Sequence, residues 1–224
     1  MSDSRPTYPS DSTRTTFDSK QQFSVSEGQR RIGLCFVGDG SVSGYGDDRA
    51  LGWVGRVMAR TPLEHVDVAA YNLGVVGANS AHLLGRWRTE CDPRWGGRNE
   101  RRLVIGIGGG DPEAALTTAR SRLNVANMLD DAATHGIATF VVSPTPRADE
   151  IANEKLNAIV EAQADVCARR GVPFVDCFTP LLGHEQWEAD LLNGDGRHPG
   201  RTGYGLVAWL VLNGGWARWM RLGE

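Results

Sequence analysis

Apolar residues follow two alternating patterns along the chain, one typical of buried strands and the other of amphipathic helices. Five short runs are rich in Val, Ile, Ala or aromatic residues, and each is bounded by Gly, Pro, Asp or Asn. Because these runs are apolar at successive rather than alternate positions, they predict parallel strands buried on both faces. The predicted strands are Ile32–Val37, Val66–Tyr71, Leu103–Ile107, Ile137–Val142 and Pro173–Asp176.

Between these runs lie longer segments in which apolar residues recur at helical spacing. At the start of the third segment, Asp111 followed by Pro112 predicts an N-terminal cap and a first helical turn. Gly136 and Gly171 are placed to end the third and fourth helices. The predicted helices are Ala50–Arg60, Ser80–Trp95, Glu113–His135, Glu150–Arg170 and Thr202–Met220.

The alternation of strands and helices predicts a three-layer α/β/α domain with a doubly wound, five-stranded parallel sheet. Ligands of such sheets bind at the carboxyl ends of the strands, near the point where the strand order reverses. The loops that follow the strands are therefore the places where chemistry is expected. These loops are residues 38–48, 74–80, 108–112 and 143–149, together with the segment before the last helix.

Composition and charge narrow the range of partners. With 224 residues, 41% of them apolar, the chain is long enough for one full α/β domain. The net charge of −3 gives no excess of Lys and Arg to neutralise phosphates, so neither nucleic acid nor an anionic membrane is an expected partner. Four cysteines at unrelated spacings suggest neither a zinc site nor a disulfide framework: Cys35, Cys91, Cys167 and Cys177.

Residues 1–29 differ from the rest of the chain. They are rich in Ser, Thr, Asp and Gln, and they lack the continuous apolar stretch of a secretory signal or a membrane span. We therefore expect a flexible N-terminal tail on a cytoplasmic protein, followed by one domain at residues 30–224 and without membrane insertion.

The segment before the last helix contains a candidate general base. Asp195 and His198 are three residues apart, and at that spacing the carboxylate can orient the imidazole and stabilise its protonated form. The glycine-rich turn after the first strand also suggests a phosphate loop. However, Ser43 replaces the third glycine of such a loop, and Asp39 would place a carboxylate beside the phosphate. Nucleotide binding is therefore disfavoured.

Four short segments resemble the motifs of the SGNH/GDSL hydrolases in order, spacing and location. They are FVGDGSVSGYGD (36–47), NLGVVGANS (72–80), IGIGGGD (105–111) and DGRHPG (195–200). The resemblance spans residues 31 to about 210 and implies a flavodoxin-like sheet, in agreement with the architecture predicted above. It also implies an enzyme in which a serine attacks the carbonyl of an ester or amide.

The resemblance implies roles for five positions, two of which lack the expected side chain. The nucleophilic serine falls on Gly40, the oxyanion glycine on Gly77 and the oxyanion asparagine on Gly110, while the activating pair falls on Asp195 and His198. Glycine carries no nucleophile, and the loss of an asparagine donor costs about 3 kcal/mol of transition-state stabilisation. The two losses also predict extra room in the pocket, for a larger ligand or for ordered water.

Three hypotheses account for the altered site. In the first, His198 oriented by Asp195 acts as a general base, without a covalent intermediate, on a small acyl or carbonyl compound. Hydrolysis, elimination and cyclisation all fit this chemistry, which requires no metal or cofactor. In the second, Ser41 replaces the missing nucleophile after a backbone rearrangement that Gly40 permits. In the third, the chain is a binding protein that retains only the fold.

Further predictions concern residues beside these motifs. We expect Asp39 to line the pocket and to anchor its own loop by hydrogen bonds to the backbone. In the last helix, we expect Trp209 to pack on the sheet, while Trp216 and Trp219 cover one end of the domain. Exposed aromatic clusters favour subunit interfaces, so a homo-oligomer is an open alternative to a monomer.

Overall fold

Five parallel strands form the centre of the computed structural model, which describes residues 29–223. The strands are β1 (Arg31–Gly38), β2 (Asp67–Gly74), β3 (Glu100–Gly106), β4 (Ala138–Val142) and β5 (Phe174–Val175). Their order in the sheet is β2-β1-β3-β4-β5, which is the flavodoxin-like order. The predicted fold class is therefore confirmed.

The register of the sheet aligns the loops that carry the motifs. Gly38, the last residue of β1, is paired with Gly74 at the end of β2 and with Gly106 at the end of β3. The three carboxyl ends therefore lie side by side. Because the strand order reverses on the two sides of β1, this edge of the sheet is the expected ligand site.

Helices cover both faces of the sheet. A short 3₁₀ helix (Asp92–Trp95) and a π-helical segment (Leu212–Trp216) accompany the α-helices. The α-helices are α1 (Gly40–Ser43), α2 (Gly52–Ala59), α3 (Ser80–Cys91), α4 (Thr118–Thr134), α5 (Glu150–Arg170), α6 (Glu185–Leu192), α7 (Arg201–Val211) and α8 (Ala217–Met220). Neither α1 nor α6 is predicted by the apolar pattern.

Two apolar layers enclose the sheet. Along β1, Leu34 and Phe36 pack into the layer that contains α2 and α7, while Cys35 and Val37 pack into the layer that contains α3 and α4. This alternation explains why the strand is continuously apolar in sequence. All four cysteines are buried as free thiols.

The third predicted helix begins later than expected, and Asp111 does not cap it. The N-cap of α4 is Thr117, whose side chain accepts a hydrogen bond from the N–H of Arg120. Asp111 is fully buried, and its Oδ1 accepts a hydrogen bond of 2.7 Å from the N–H of Ser80 at the start of α3. The prediction was wrong because the carboxylate that the local pattern assigned to a cap bonds instead, through Oδ1, to a helix that is distant in sequence.

The last predicted helix is interrupted, and Trp216 rather than Trp209 packs on the sheet. Trp209 is 61% exposed, whereas Trp216 is 1% exposed and stacks on Phe36 of the sheet at a centroid distance of 5.9 Å. Trp209 lies in α7, whose buried residues include Tyr204, Val207 and Val211, so this tryptophan falls on the other face of the helix. After α7, the helical backbone is broken at Gly214 and Gly215, where Gly215 has a φ of +96°, and Trp216 follows this kink. Trp209 therefore faces outward, and Trp216 takes the position on the core.

The expected N-terminal tail lies outside the described residues except for Gln29. In the part of the chain that is described, no helix combines the length and the apolar character that a bilayer crossing needs.

Candidate active site

The loop after β1 forms the short helix α1, and Asp39 is its N-cap. The Oδ1 atom of Asp39 accepts a hydrogen bond of 3.0 Å from the N–H of Ser41, as a loop anchor would. Gly40 is the first residue of this helix. From β2, the side chain of Asn72 donates a hydrogen bond of 2.8 Å to the carbonyl of Val42. The turn in which the resemblance locates the nucleophile is thus held from both sides.

The loops after β2 and β3 pack directly on each other. Gly77 has a φ of +78°, a left-handed conformation that favours glycine, and it precedes Asn79, the N-cap of α3. A Cβ atom on Gly110 would lie 2.6 Å from the carbonyl oxygen of Ala78, so the two backbones are in close approach. The room expected from the missing asparagine is therefore occupied by the neighbouring loop.

Asp195 and His198 form a hydrogen-bonded pair. Oδ2 of Asp195 lies 2.8 Å from Nδ1 of His198, and Oδ1 accepts hydrogen bonds from the backbone N–H groups of His198 and Arg197. Burial raises the pKa of Asp195, but these hydrogen bonds outweigh it and lower the pKa to about 2. The carboxylate is therefore ionised at neutral pH, and an ionised carboxylate can only accept. Nδ1 carries the proton, and Nε2 is free to act as a base.

The ring of His198 lies against Gly40. A Cβ atom on Gly40 would lie 2.5 Å from Nε2, so a side chain at this position requires a shift of the His198 ring. The ring thus occupies space that a serine would need, so this loss also leaves no vacant room. Within residues 29–223, no hydrogen bond joins His198 to Ser41.

One cavity of about 250 Å³ at the carboxyl edge of the sheet collects every residue singled out in the sequence for the site. Its walls also include Tyr45, whose ring meets the imidazole of His198 edge to face at 5.1 Å. The predicted residues that line it are Asp39, Gly40, Ser41, Gly77, Gly110, Asp195 and His198.

Three glycines of the sequence motifs contribute backbone N–H groups, unpaired within the described residues, to the lining of this cavity. Gly40, Gly77 and Gly110 all line it, and none of their N–H groups is hydrogen-bonded to an acceptor in the described part of the chain. Preorganised N–H groups of this kind stabilise negative charge that develops on a carbonyl oxygen. These three N–H groups are therefore the candidates for oxyanion donors in this cavity.

Asp39 has an unusual environment for a carboxyl group. Burial raises its pKa, and the hydrogen bond from the N–H of Ser41 and the positive charge of Arg147 only partly oppose this effect. The protonated form is accordingly favoured over a wider pH range than for a carboxyl group in water.

Two arginines that line the site were not predicted from the sequence. Arg147 lies in the loop after β4, and Arg197 lies between Asp195 and His198; both line the cavity. Their positions in the sequence could have indicated this, because Arg147 follows a predicted strand and Arg197 lies within the last motif. Their relation to each other is not visible in the sequence because it depends on Glu113, which belongs to a third loop.

Comparisons with known proteins agree with this geometry. The model of the GDSL-like Lipase/Acylhydrolase family matches residues 36–206, about three quarters of the chain. The chain belongs to this family. No curated protein matches the sequence.

Solved structures share the fold at low sequence identity. TesA is 22% identical with a TM-score of 0.68, and the match covers 83% of this chain and 98% of TesA. A lipase/acylhydrolase from Enterococcus faecalis is 23% identical with a TM-score of 0.67, covering 84% and 96%. Axe2, an acetylxylan esterase from Geobacillus stearothermophilus, is 16% identical with a TM-score of 0.67, covering 82% and 93%.

Proposed function

We propose that this hydrolase scaffold catalyses a reaction of a small acyl or carbonyl compound in which His198, oriented by Asp195, is a general base and no covalent enzyme intermediate forms. The proposal rests on one observation: the hydrogen-bonded pair of Asp195 and His198 is intact, and it lies beside Gly40. Nδ1 of His198 is bonded to Asp195 at 2.8 Å, while Nε2 faces Gly40, which has no side chain to activate. The base must therefore act on the substrate or on water.

The chemistry available to this base is a proton transfer. Nε2 of His198 takes a proton from water, from a hydroxyl group of the substrate or from an acidic C–H, and Asp195 stabilises the imidazolium that results. The oxygen atom or carbanion so formed attacks or rearranges the carbonyl, and the imidazolium returns the proton to the leaving group. Hydrolysis, cyclisation and elimination are the three outcomes.

The negative charge on the carbonyl oxygen needs donors, and backbone groups supply them in the proposal. Gly40, Gly77 and Gly110 line the cavity and their N–H groups have no acceptor in the described residues, whereas the asparagine amide of the family is absent. Loss of one such donor typically costs about 3 kcal/mol. We therefore expect slower turnover of simple esters than in relatives that have the complete site.

A kinetic comparison tests the role of His198. With para-nitrophenyl acetate, whose leaving group needs no protonation, His198→Gln should lower kcat/KM by at least about a hundredfold. Ser41→Ala should stay within about twofold of wild type, because Ser41 takes no part in the proposed steps.

The matched control is His82→Gln, because His82 is exposed in α3 and does not line the cavity. Equal kcat/KM in the wild type and in His198→Gln would reject His198 as the base, and no turnover above the buffer rate in the wild type would favour a binding protein. Loss of activity in Ser41→Ala would favour the shifted serine instead.

A further inference from the structure

Arg147 places a fixed positive charge in the wall of the cavity. Its side chain is only 8% exposed, and its guanidinium donates to the carboxylate of Glu113 and to the carbonyl of Gly109. Its backbone is fixed as well, because the N–H and carbonyl groups of Arg147 both bond to the side chain of Asn153 at 2.8 Å. The guanidinium is therefore preorganised rather than free to move away.

Arg197 places a second, much less engaged guanidinium at the same cavity. Its side chain is 43% exposed, and its ion pair with Glu113 has an N–O distance of 3.4 Å. Within residues 29–223, this guanidinium forms no hydrogen bond. The backbone N–H of Arg197 donates a hydrogen bond of 2.9 Å to Asp195, which holds the backbone of Arg197 beside the pair of Asp195 and His198.

The two guanidiniums share one carboxylate as their ion-pair partner. This carboxylate is that of Glu113, while Asp195 is bonded to His198. Burial and then the nearby Arg197 lower the pKa of Arg147 to about 10, so it remains cationic at neutral pH. Arg147, Arg197 and Glu113 together therefore carry one net positive charge, and the guanidinium of Arg197 is the member of this group without a hydrogen bond in the described residues.

We propose that the substrate is itself an anion, and that Arg197 and Arg147 bind its carboxylate while its acyl or carbonyl group faces His198. This inference rests on the proposed function and names its substrate class. A carboxylate matches the planar donor geometry of a guanidinium and relieves the repulsion between the two arginines. The cavity of about 250 Å³ limits the substrate to a small molecule.

Equilibrium binding of a matched ligand pair tests the inference. N-acetylglycine and N-acetylglycinamide both contain an acyl carbonyl, and they differ in the charge of one terminal group. Isothermal titration calorimetry of the wild type should show about tenfold tighter binding of the anion. In Arg197→Gln the preference should fall below about threefold, and Arg197→Lys should restore part of it.

The control is Arg201→Gln, which removes an equal charge at an exposed residue outside the cavity and should leave the preference unchanged. Equal affinity for both ligands, no binding of either, or a preference that survives Arg197→Gln would overturn the inference. Because neither ligand needs to react, the result does not depend on His198. The preference should persist in His198→Gln even if the proposed chemistry fails.

Discussion

The two glycines that replace functional side chains have different surroundings. A Cβ atom on Gly40 would meet the far end of the His198 side chain, at 2.5 Å from Nε2. A Cβ atom on Gly110 would meet backbone, at 2.6 Å from the carbonyl oxygen of Ala78. A side chain can rotate away, whereas a buried backbone cannot move without shifting its neighbours.

We therefore predict that Gly40→Ser and Gly110→Asn differ in their effect on stability. Gly40→Ser should change the free energy of unfolding by less than about 1 kcal/mol, because rotation of His198 makes room. Gly110→Asn should lower it by about 1–3 kcal/mol, the usual cost of overpacking. Urea unfolding of the purified variants measures both values.

Gly85→Asn is the control for introducing an asparagine, since a Cβ atom on Gly85 in α3 would meet nothing within 4 Å. This variant should be nearly as stable as the wild type. Equal stability of Gly110→Asn and Gly85→Asn would contradict the close packing of the loops after β2 and β3.

At the scale of elements, the segment between α1 and α2 is held by a buried ion pair. The carboxylate of Asp47 is fully buried, pairs with the guanidinium of Arg56, and accepts a hydrogen bond of 2.8 Å from the N–H of Gly52 at the start of α2. Burial raises the pKa of Asp47, but these bonds, with one from the N–H of Arg49, outweigh it and lower the pKa to about 2. The first loop of the site therefore depends on an ionised Asp47.

We predict that Asp47→Asn lowers the free energy of unfolding at neutral pH by about 3 kcal/mol, because it leaves Arg56 without its carboxylate. A carboxyl group whose folded pKa is depressed stabilises the protein fully above its unfolded pKa of 3.8, and this contribution falls as the pH drops toward about 2. The difference between wild type and variant should therefore narrow in acid. Urea unfolding across this pH range measures it.

Asp48→Asn is the matched control, since Asp48 is the next residue and is exposed. It should change stability by less than about 0.5 kcal/mol at every pH. A destabilisation by Asp47→Asn that stays constant from neutral to acid pH would contradict the role of the ionised carboxylate.

At the scale of the whole molecule, features determined by local sequence were predicted best. Helix α5 was predicted with the bounds that it has, because Asp149 caps its start and Gly171 ends it in a left-handed conformation. The alternation of elements predicted a doubly wound parallel sheet, and the resemblance to the SGNH/GDSL hydrolases implied its flavodoxin-like strand order. Asp111 and Trp216 were misassigned because their partners, Ser80 and Phe36, lie far away in the sequence.

The sequence predicted which residues line the cavity, but it did not predict how they pack or which ion pairs they form. Motif order at strand ends was enough to bring seven residues to one cavity. The close contact between His198 and Gly40 depends on how the last motif folds over the first, and no local pattern encodes it. The same holds for the pairing of Arg147 and Arg197 with Glu113, which joins three loops.

The central claim is that the reaction proceeds without a covalent bond to the protein, and intact-mass spectrometry tests it most directly. The full chain is treated with a fluorophosphonate beside a serine esterase as positive control, and the modified residue is mapped by peptide sequencing. The account predicts that the esterase gains one adduct while the mass of this protein stays unchanged. A stoichiometric adduct on Ser41, absent from Ser41→Ala, would contradict it.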